Sequence, residues 1–336
     1  MRSLLVLIFL LTAGCTRMLA ERIVRAPNLD APAASRGDAS PQVLAKFYVD
    51  RQLRIPVGPP DAYVSVWVFE PFIGREDLRF TGFGRQVGAE LHRYPGGKTV
   101  PPRATIFVLH GILDNKELGP YALFREQLVQ LGYRVVQLDF RGHGRSTGQW
   151  ITYGAVESHD LVQVLDALKA QHLIAGEVGA IGISYGGATA IQWAGIDPRV
   201  KAVVAIEPYT SFRDIARDGA AFVLGPGRWL FTDANINKCV DLAGELAHFN
   251  PDDANTLRAI TKTRAPVLLI HSRDDEFIPW MHSQRLHDAA KDHSKLILID
   301  GSSHFDIWLN AFDLIRVQSS AWFAEKLGTN GGNGQE

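Results

Sequence analysis

With 336 residues, 46% of them hydrophobic and 21% charged, the chain can build one large domain with an insertion, or two small ones, around a sizeable core. Its formal net charge is −1 with no block of basic residues, which argues against nucleic-acid binding. There are only 2 cysteines, Cys15 and Cys239, and no His/Cys cluster has zinc-site spacing.

Residues 1–15 read as an export segment. Met1-Arg2-Ser3 is a short basic start, and Leu4 to Leu11 is an apolar run too short to span a bilayer as a helix. Thr12-Ala13-Gly14 then precede Cys15. Small residues before a cysteine resemble the bacterial lipobox, although the leucine stands one place further away than usual. That resemblance implies cleavage before Cys15, lipidation of its side chain, and a location in the cell envelope, held to a membrane. The alternatives are an uncleaved anchor or an ordinary secretory signal. With Cys15 lipidated, no intrachain disulfide is possible.

Residues 16–40 are expected to be a linker, because Arg25 to Ser40 is rich in Ala, Pro, Asp and Ser with little periodicity. The main domain is expected over 41–327. Pro41 to Ile55 suggests a helix and a turn, and Tyr63 to Phe69 alternates as a half-buried strand does. That strand, further strand signals from Leu78 to His92, interrupted by Gly82, Gly84 and Gly88, and a turn at Pro95-Gly-Gly together suggest an antiparallel opening to the sheet. From Ala104 the texture changes to continuous apolar runs, as in strands covered on both faces. Strands are expected at Ala104–Leu109, Arg134–Leu138, Val178–Ile183, Val200–Ile206, Val267–Ile270 and Leu296–Ile299. Helices are expected at Leu118–Gln130, around Leu161, Val164, Leu165 and Leu168, after Ser184, and from Ile307 to Lys326. Alternating strands and helices imply an α/β fold with a mainly parallel sheet. About 55 residues, Tyr209 to Arg264, separate the sixth strand from the next, too many for an ordinary crossover. Their apolar residues, among them Phe212, Phe222, Val223, Leu224, Trp229, Leu230 and Phe231, suggest a helical cap. The tail 328–336 is of low complexity and is expected to be disordered.

Chemistry concentrates in Val178-Gly-Ala-Ile-Gly182-Ile-Ser184-Tyr-Gly186-Gly187. A strand-like run meets a helix-like run at a serine flanked by glycines, the context of a G-x-S-x-G nucleophile elbow. Positions two before and two after the serine must be small for so tight a turn. A serine hydroxyl needs a base to take its proton and an acid to orient that base. In open α/β sheets such partners sit beyond the carboxyl ends of strands. One loop of this kind carries Asp274, Asp275 and Glu276, and another carries His304 followed by Phe305-Asp306. The order Ser, Asp, His along the chain suits the elbow motif. Asp274, Glu276 and, at the end of the preceding strand, Glu207 are rival acids. His110, His143, His159, His282, His287 and His293 are expected to be structural or exposed.

Together these features resemble the α/β-hydrolase fold family, in its serine esterase, lipase and aminopeptidase-like branch, over roughly Ala104 to Lys326. His110-Gly111-Ile112 resembles the family's loop after the third strand, and Asp139-Phe-Arg141-Gly142-His143-Gly144-Arg145-Ser146 its D-x-R-G-x-G-x-S loop. Asp275, four residues before Pro279, stands where the family's acid stands. The resemblance implies that Ser184 is the nucleophile, His304 the general base and acid, and Asp275 the orienting carboxylate. The backbone N–H groups of Ile112 and Tyr185 would form the oxyanion hole. No cofactor or metal is needed. The expected activity is hydrolysis of carboxylic esters, lipid-like or small, through an acyl-enzyme. Peptide or thioester hydrolysis uses the same groups, and a non-catalytic, membrane-anchored binding module is the rival from another class.

Overall fold

Runs of branched and small apolar residues form one eight-stranded sheet. Its strands are β1 (Arg51–Val57), β2 (Ala62–Phe69), β3 (Thr105–Leu109), β4 (Arg134–Asp139), β5 (Val178–Ile183), β6 (Val200–Ile206), β7 (Val267–Ser272) and β8 (Ser294–Ile299). The computed structural model describes residues 16–32, 35–81, 88–224 and 232–328. Across the sheet the order is β1-β2-β4-β3-β5-β6-β7-β8. β1 pairs antiparallel with β2, and β2 with β4; every other pairing is parallel. The helices around it include α1 (Gly119–Gln130), α2 (Glu157–Ala170), α3 (Tyr185–Ile196), α4 (Phe212–Leu224), α5 (Asp233–Ala247), α6 (Thr256–Ile260), α7 (Met281–Asp288) and α8 (Phe312–Lys326).

Strand alternation sends successive side chains to opposite faces of the sheet, and two apolar cores result. Phe107 and Leu109 of β3 and Val203 and Ala205 of β6 pack on one side, with α2, α3 and the helices of the insertion. Ile106 and Val108, with Ala202, Val204 and Ile206, pack on the other against α1 and α8. Strands buried on both faces cannot alternate polar with apolar, so the inner strands read as continuous apolar runs. Trp193 of α3 is wholly buried and meets Phe107 edge-on, with ring centroids 4.9 Å apart. The mainly parallel α/β sheet expected from the sequence is what the structure contains, with an insertion of α4, α5 and α6 after the sixth strand.

Three expectations need correction. The strands Glu76–Thr81 and Gly88–Arg93 pair with each other in a separate two-stranded sheet and do not open the main one. The antiparallel opening is made by β1 and β2, and only Pro41–Lys46 of the 41–55 stretch is helical. Residues 16–40 are not a free linker over their described part. A helix over 16–24 buries Ala20 and Val24. Beyond it, the backbone of Arg25 bridges Trp150, and the Asn28 side chain donates to the carbonyls of Gly144 (3.1 Å) and Ser146 (2.7 Å). Low periodicity misleads here because, beyond the short helix whose Ala20 and Val24 join the core, the segment is held by backbone hydrogen bonds and one amide. The expectations for residues 1–15, Cys15 included, for Gly82, Gly84 and residues 229–231, and for 329–336 lie outside the described residues.

The D-x-R-G-x-G-x-S stretch proves to be a structural knot. Asp139 is wholly buried and accepts hydrogen bonds from the backbone amides of Lys116 (2.8 Å) and Arg145 (2.8 Å), and from the buried Lys116 ammonium. Lys116 Nζ also reaches Ser65 Oγ at 3.0 Å and lies over the Trp67 ring. Burial lowers the Lys116 pKa; burial also works to raise the Asp139 carboxyl, but the charge and hydrogen bonds of Lys116, together with His110, outweigh it and hold that carboxyl low. Arg141 forms a two-pronged pair with Asp160, both contacts at 2.6 Å. Gly144 has φ +44, and a Cβ there would sit 2.4 Å from the Asp139 carboxylate carbon. Removing one member of a buried pair strands the other. Lys116→Ala is therefore expected to cost about 3–5 kcal/mol, read as a lower midpoint in urea unfolding.

Candidate active site

The last residue of β5 is Ile183, and α3 begins at Tyr185, so a single residue turns the chain between them. That residue, Ser184, has φ 55° and ψ −115°, a conformation that costs a side-chain-bearing residue about 1–3 kcal/mol. Its amide donates to the Ile206 carbonyl at 2.7 Å, tying the turn to the end of β6. A Cβ on Gly182 would lie 2.4 Å from the Gly186 backbone. A Cβ on Gly186 would lie 2.5 Å from the Leu109 carbonyl oxygen and 2.6 Å from that of His110. The two glycines thus serve different purposes. Gly182 lets the helix start against its own strand, and Gly186 lets it start against β3.

Three side chains far apart along the chain converge at this edge. His304, in the loop after β8, places Nε2 3.1 Å from Ser184 Oγ and Nδ1 2.7 Å from Asp275 Oδ2. Nδ1–H donates to the carboxylate; in the uncharged ring Nε2 then accepts from the serine hydroxyl. All three residues are buried or nearly so. Asp275 is fixed in turn, its Oδ1 accepting from the amides of Phe277 (2.9 Å) and Ile278 (2.7 Å). His271 Nε2 stands 3.3 Å from Asp275 Oδ2. That nitrogen donates to the Ile278 carbonyl at 2.8 Å, so Nδ1 accepts from Ser283 at 2.7 Å. His271 was not anticipated; a histidine at the buried end of a strand, four residues before an acid, was the available signal.

The rivals separate by position. Asp274 and Glu276 are exposed, and Asp274 accepts from the Gly301 amide, joining the two loops. Glu207 is wholly buried, with Oε2 3.2 Å from His304 Nδ1. Burial works to raise the Asp275 carboxyl, but hydrogen bonds from His271 and His304 and the positive charge of His304 outweigh it, giving about 2. Burial alone would depress His304; the two facing carboxylates outweigh it and lift the ring to about 9. Among the described residues, Glu207, Asp275 and His304 are the one set of acidic and imidazole groups close enough together to hold an ion.

Ile112 and Tyr185 flank the same edge, following β3 and Ser184. Among the described residues, no hydrogen bond engages either backbone N–H. The Ile112 loop is held rigidly. The Tyr121 hydroxyl accepts from the Gly111 amide (2.7 Å) and donates to Asp114 (2.6 Å). His110 Nε2 accepts from the Phe140 amide (3.0 Å), and its Nδ1–H donates to the Gly111 carbonyl (2.8 Å). Burial, reinforced by the neighbouring His143, drives the His110 pKa down to about 3, which suits an uncharged brace between loops. His143 is likewise buried, and donates from Nδ1 to the Arg141 carbonyl at 2.9 Å.

Comparison with known proteins agrees with this architecture. The model of the X-Pro dipeptidyl-peptidase (S15) family matches residues 84–247. The uncharacterized Bacillus subtilis (strain 168) protein YqkD is 30% identical over 242 residues, 70% of this chain and 76% of that protein. In structure the chain is similar to the Pyrococcus furiosus esterase Pf2001, with a TM-score of 0.62 at 19% identity, over 87% of this chain and 97% of that one. It is also similar to a Pyrococcus horikoshii acylaminoacyl peptidase, with a TM-score of 0.52 at 16% identity, over 83% of this chain and 42% of that one. Taken with the order and direction of its strands, these similarities show that the chain belongs to the α/β-hydrolase family, whose members include esterases and peptidases.

Proposed function

We propose that the protein is a serine hydrolase that cleaves carboxylic esters through an acyl-enzyme. One observation carries the reading: His304 stands between Ser184 and Asp275, 3.1 Å from the hydroxyl and 2.7 Å from the carboxylate, at the carboxyl edge of the sheet. In the proposed cycle Ser184 Oγ attacks the substrate carbonyl while Nε2 takes its proton. The oxyanion is received by the N–H groups of Ile112 and Tyr185. The imidazolium then returns the proton to the leaving group, and water repeats the sequence on the acyl-enzyme.

An apolar substrate is favoured by the rings around the imidazole. Phe277 and Phe305 have centroids 5.2 and 5.4 Å from that of His304. Phe222, from the end of α4, lies 5.4 Å from Phe277 and is 43% exposed. Not all the apolar residues of the insertion face this way. Phe212 stacks on Tyr153, with centroids 3.9 Å apart, and fills the core. The leaving group must lie near Nε2 to receive its proton, so these rings would line its path. A peptidase reading is favoured by the match to the X-Pro dipeptidyl-peptidase family model and uses the same groups. The export and lipid-anchoring reading of residues 1–15 rests on the sequence motif alone. Among the described residues, no helix is long and apolar enough to cross a membrane.

A fluorophosphonate probe is expected to label the native chain at Ser184, located by peptide mass mapping, and not to label Ser184→Ala. p-Nitrophenyl esters of rising chain length are expected to be turned over. Absence of labelling in folded protein would remove the serine-hydrolase reading; cleavage of aminoacyl or prolyl amides with no ester turnover would replace ester by peptide.

A further inference from the structure

Glu207 directly follows Ile206, the last residue of β6. It is wholly buried and has φ +50°, a left-handed conformation that side-chain-bearing residues seldom adopt. Its Oε2 lies 3.2 Å from His304 Nδ1, the nitrogen that Asp275 Oδ2 approaches to 2.7 Å. Nδ1 carries a single hydrogen, directed along the shorter contact. Neither Glu207 oxygen receives a hydrogen bond from any described residue. A buried carboxylate in that condition is costly unless it holds a proton or faces a cation. The nearby cation is His304 itself, once it has taken the Ser184 proton. The titratable groups that face the ring are Glu207 from the end of β6 and Asp275 from the loop after β7. His271, at the end of β7, is occupied by Ser283 and the Ile278 carbonyl.

We propose that Glu207 is a second positioning carboxylate: it faces Nδ1 beside Asp275, shares the hold on the imidazolium, and sets the pH at which His304 becomes free to act as a base. The proposal rests on the serine-hydrolase reading above. Its proton balance is simple. The Ser184 O–H bond breaks, Nε2–H forms, and that proton later leaves with the departing group. Glu207 gains and loses no atom; its charge changes only the stability of the imidazolium. Burial raises the Glu207 carboxyl, with the Asp275 charge adding to it and His304 opposing it, as expected of two acids competing for one ring.

The test is the pH dependence of kcat/KM for a p-nitrophenyl ester. Glu207→Gln keeps the shape and removes the charge, so the imidazolium loses a partner and deprotonates more readily. The acid limb of the profile is expected to move to lower pH by about one unit or more. An unmoved midpoint in a folded variant overturns the proposal. Asp275→Asn decides independently of whether a Glu207 variant folds. With Glu207 still facing Nδ1, activity is expected to fall about 10²-fold, against the roughly 10⁴-fold typical when the acid of a triad becomes an amide. A full 10⁴-fold fall in Asp275→Asn alone also overturns it. Fluorophosphonate labelling of the native chain, run in parallel, separates the two ideas. No label removes the serine reading itself, whereas labelling with an unmoved midpoint removes only the role of Glu207.

Discussion

Ser184→Ala, His304→Ala and the double variant are expected to share one residual kcat, about 10⁶-fold below that of the native chain. The reason is geometric. The hydroxyl and Nε2 are 3.1 Å apart and act on the same proton, so deleting either group disables the same step. A second deletion then has nothing left to remove, and the losses do not add. What survives is due to the backbone donors and to substrate binding, which neither substitution touches. The Ser184→Ala melt should stay close to that of the native chain, because the lost hydroxyl opens no large cavity and carries no charge, whereas His304→Ala takes away the ring that faces the buried Glu207 carboxylate and should melt lower. Steady-state rates with one ester measure the prediction. A His304→Ala protein retaining activity within tenfold of the native chain would contradict it.

Gly186→Ala is expected to damage folding and activity together. Its added methyl would sit 2.5 and 2.6 Å from the carbonyl oxygens of Leu109 and His110. Both are backbone atoms at the end of a central strand, so neither can swing aside as a flexible side chain could. α3 would have to withdraw from β3 and take Ser184 with it. We expect a loss of about 3 kcal/mol or more, at the upper end of overpacking effects, and a loss of activity even in whatever fraction folds. Gly219→Ala is the control. It lies inside α4, where a Cβ would meet only the Phe277 ring at 3.7 Å, an ordinary contact. That substitution is expected to be neutral or to stabilise by up to about 1 kcal/mol. Urea unfolding of both variants makes the comparison.

Much of this arrangement was legible before any coordinates. β3 to β7 could be read because strands covered on both faces must be apolar throughout, and β8, at the edge of the sheet and only partly covered, because of its apolar run Leu296–Ile299. Ser184, Asp275 and His304 could be picked out because Ser184 directly follows β5 and the other two lie in the loops after β7 and β8, and reactive groups gather beyond the carboxyl ends of such strands. What escaped reading depends on contacts that leave no pattern in the residue types. The segment around Ala26 and Asn28 docks through main-chain groups, so its Ala- and Pro-rich composition looked like a spacer. The paired strands Glu76–Thr81 and Gly88–Arg93 have strand-like composition, but nothing in it says that they pair only with each other. His271 carries no signature of its own, because its value lies in two hydrogen bonds formed across a loop. Glu207 was visible as a rival to Asp275. That both carboxylates could face one nitrogen is a matter of distance between separate strand ends, which no local motif encodes.

The docking of residues 16–32 has a mechanical consequence. Ala20 and Val24 are wholly buried, the Tyr153 hydroxyl donates to the Ile23 carbonyl at 2.8 Å, and the Cys239 thiol of α5 reaches the Thr16 carbonyl at 3.8 Å. Anything attached upstream of residue 16 therefore meets the body through a stiff lever, with no slack string between. A pull from that side is delivered first to α5 of the inserted helices and to the Tyr153 turn, and only through them to the sheet.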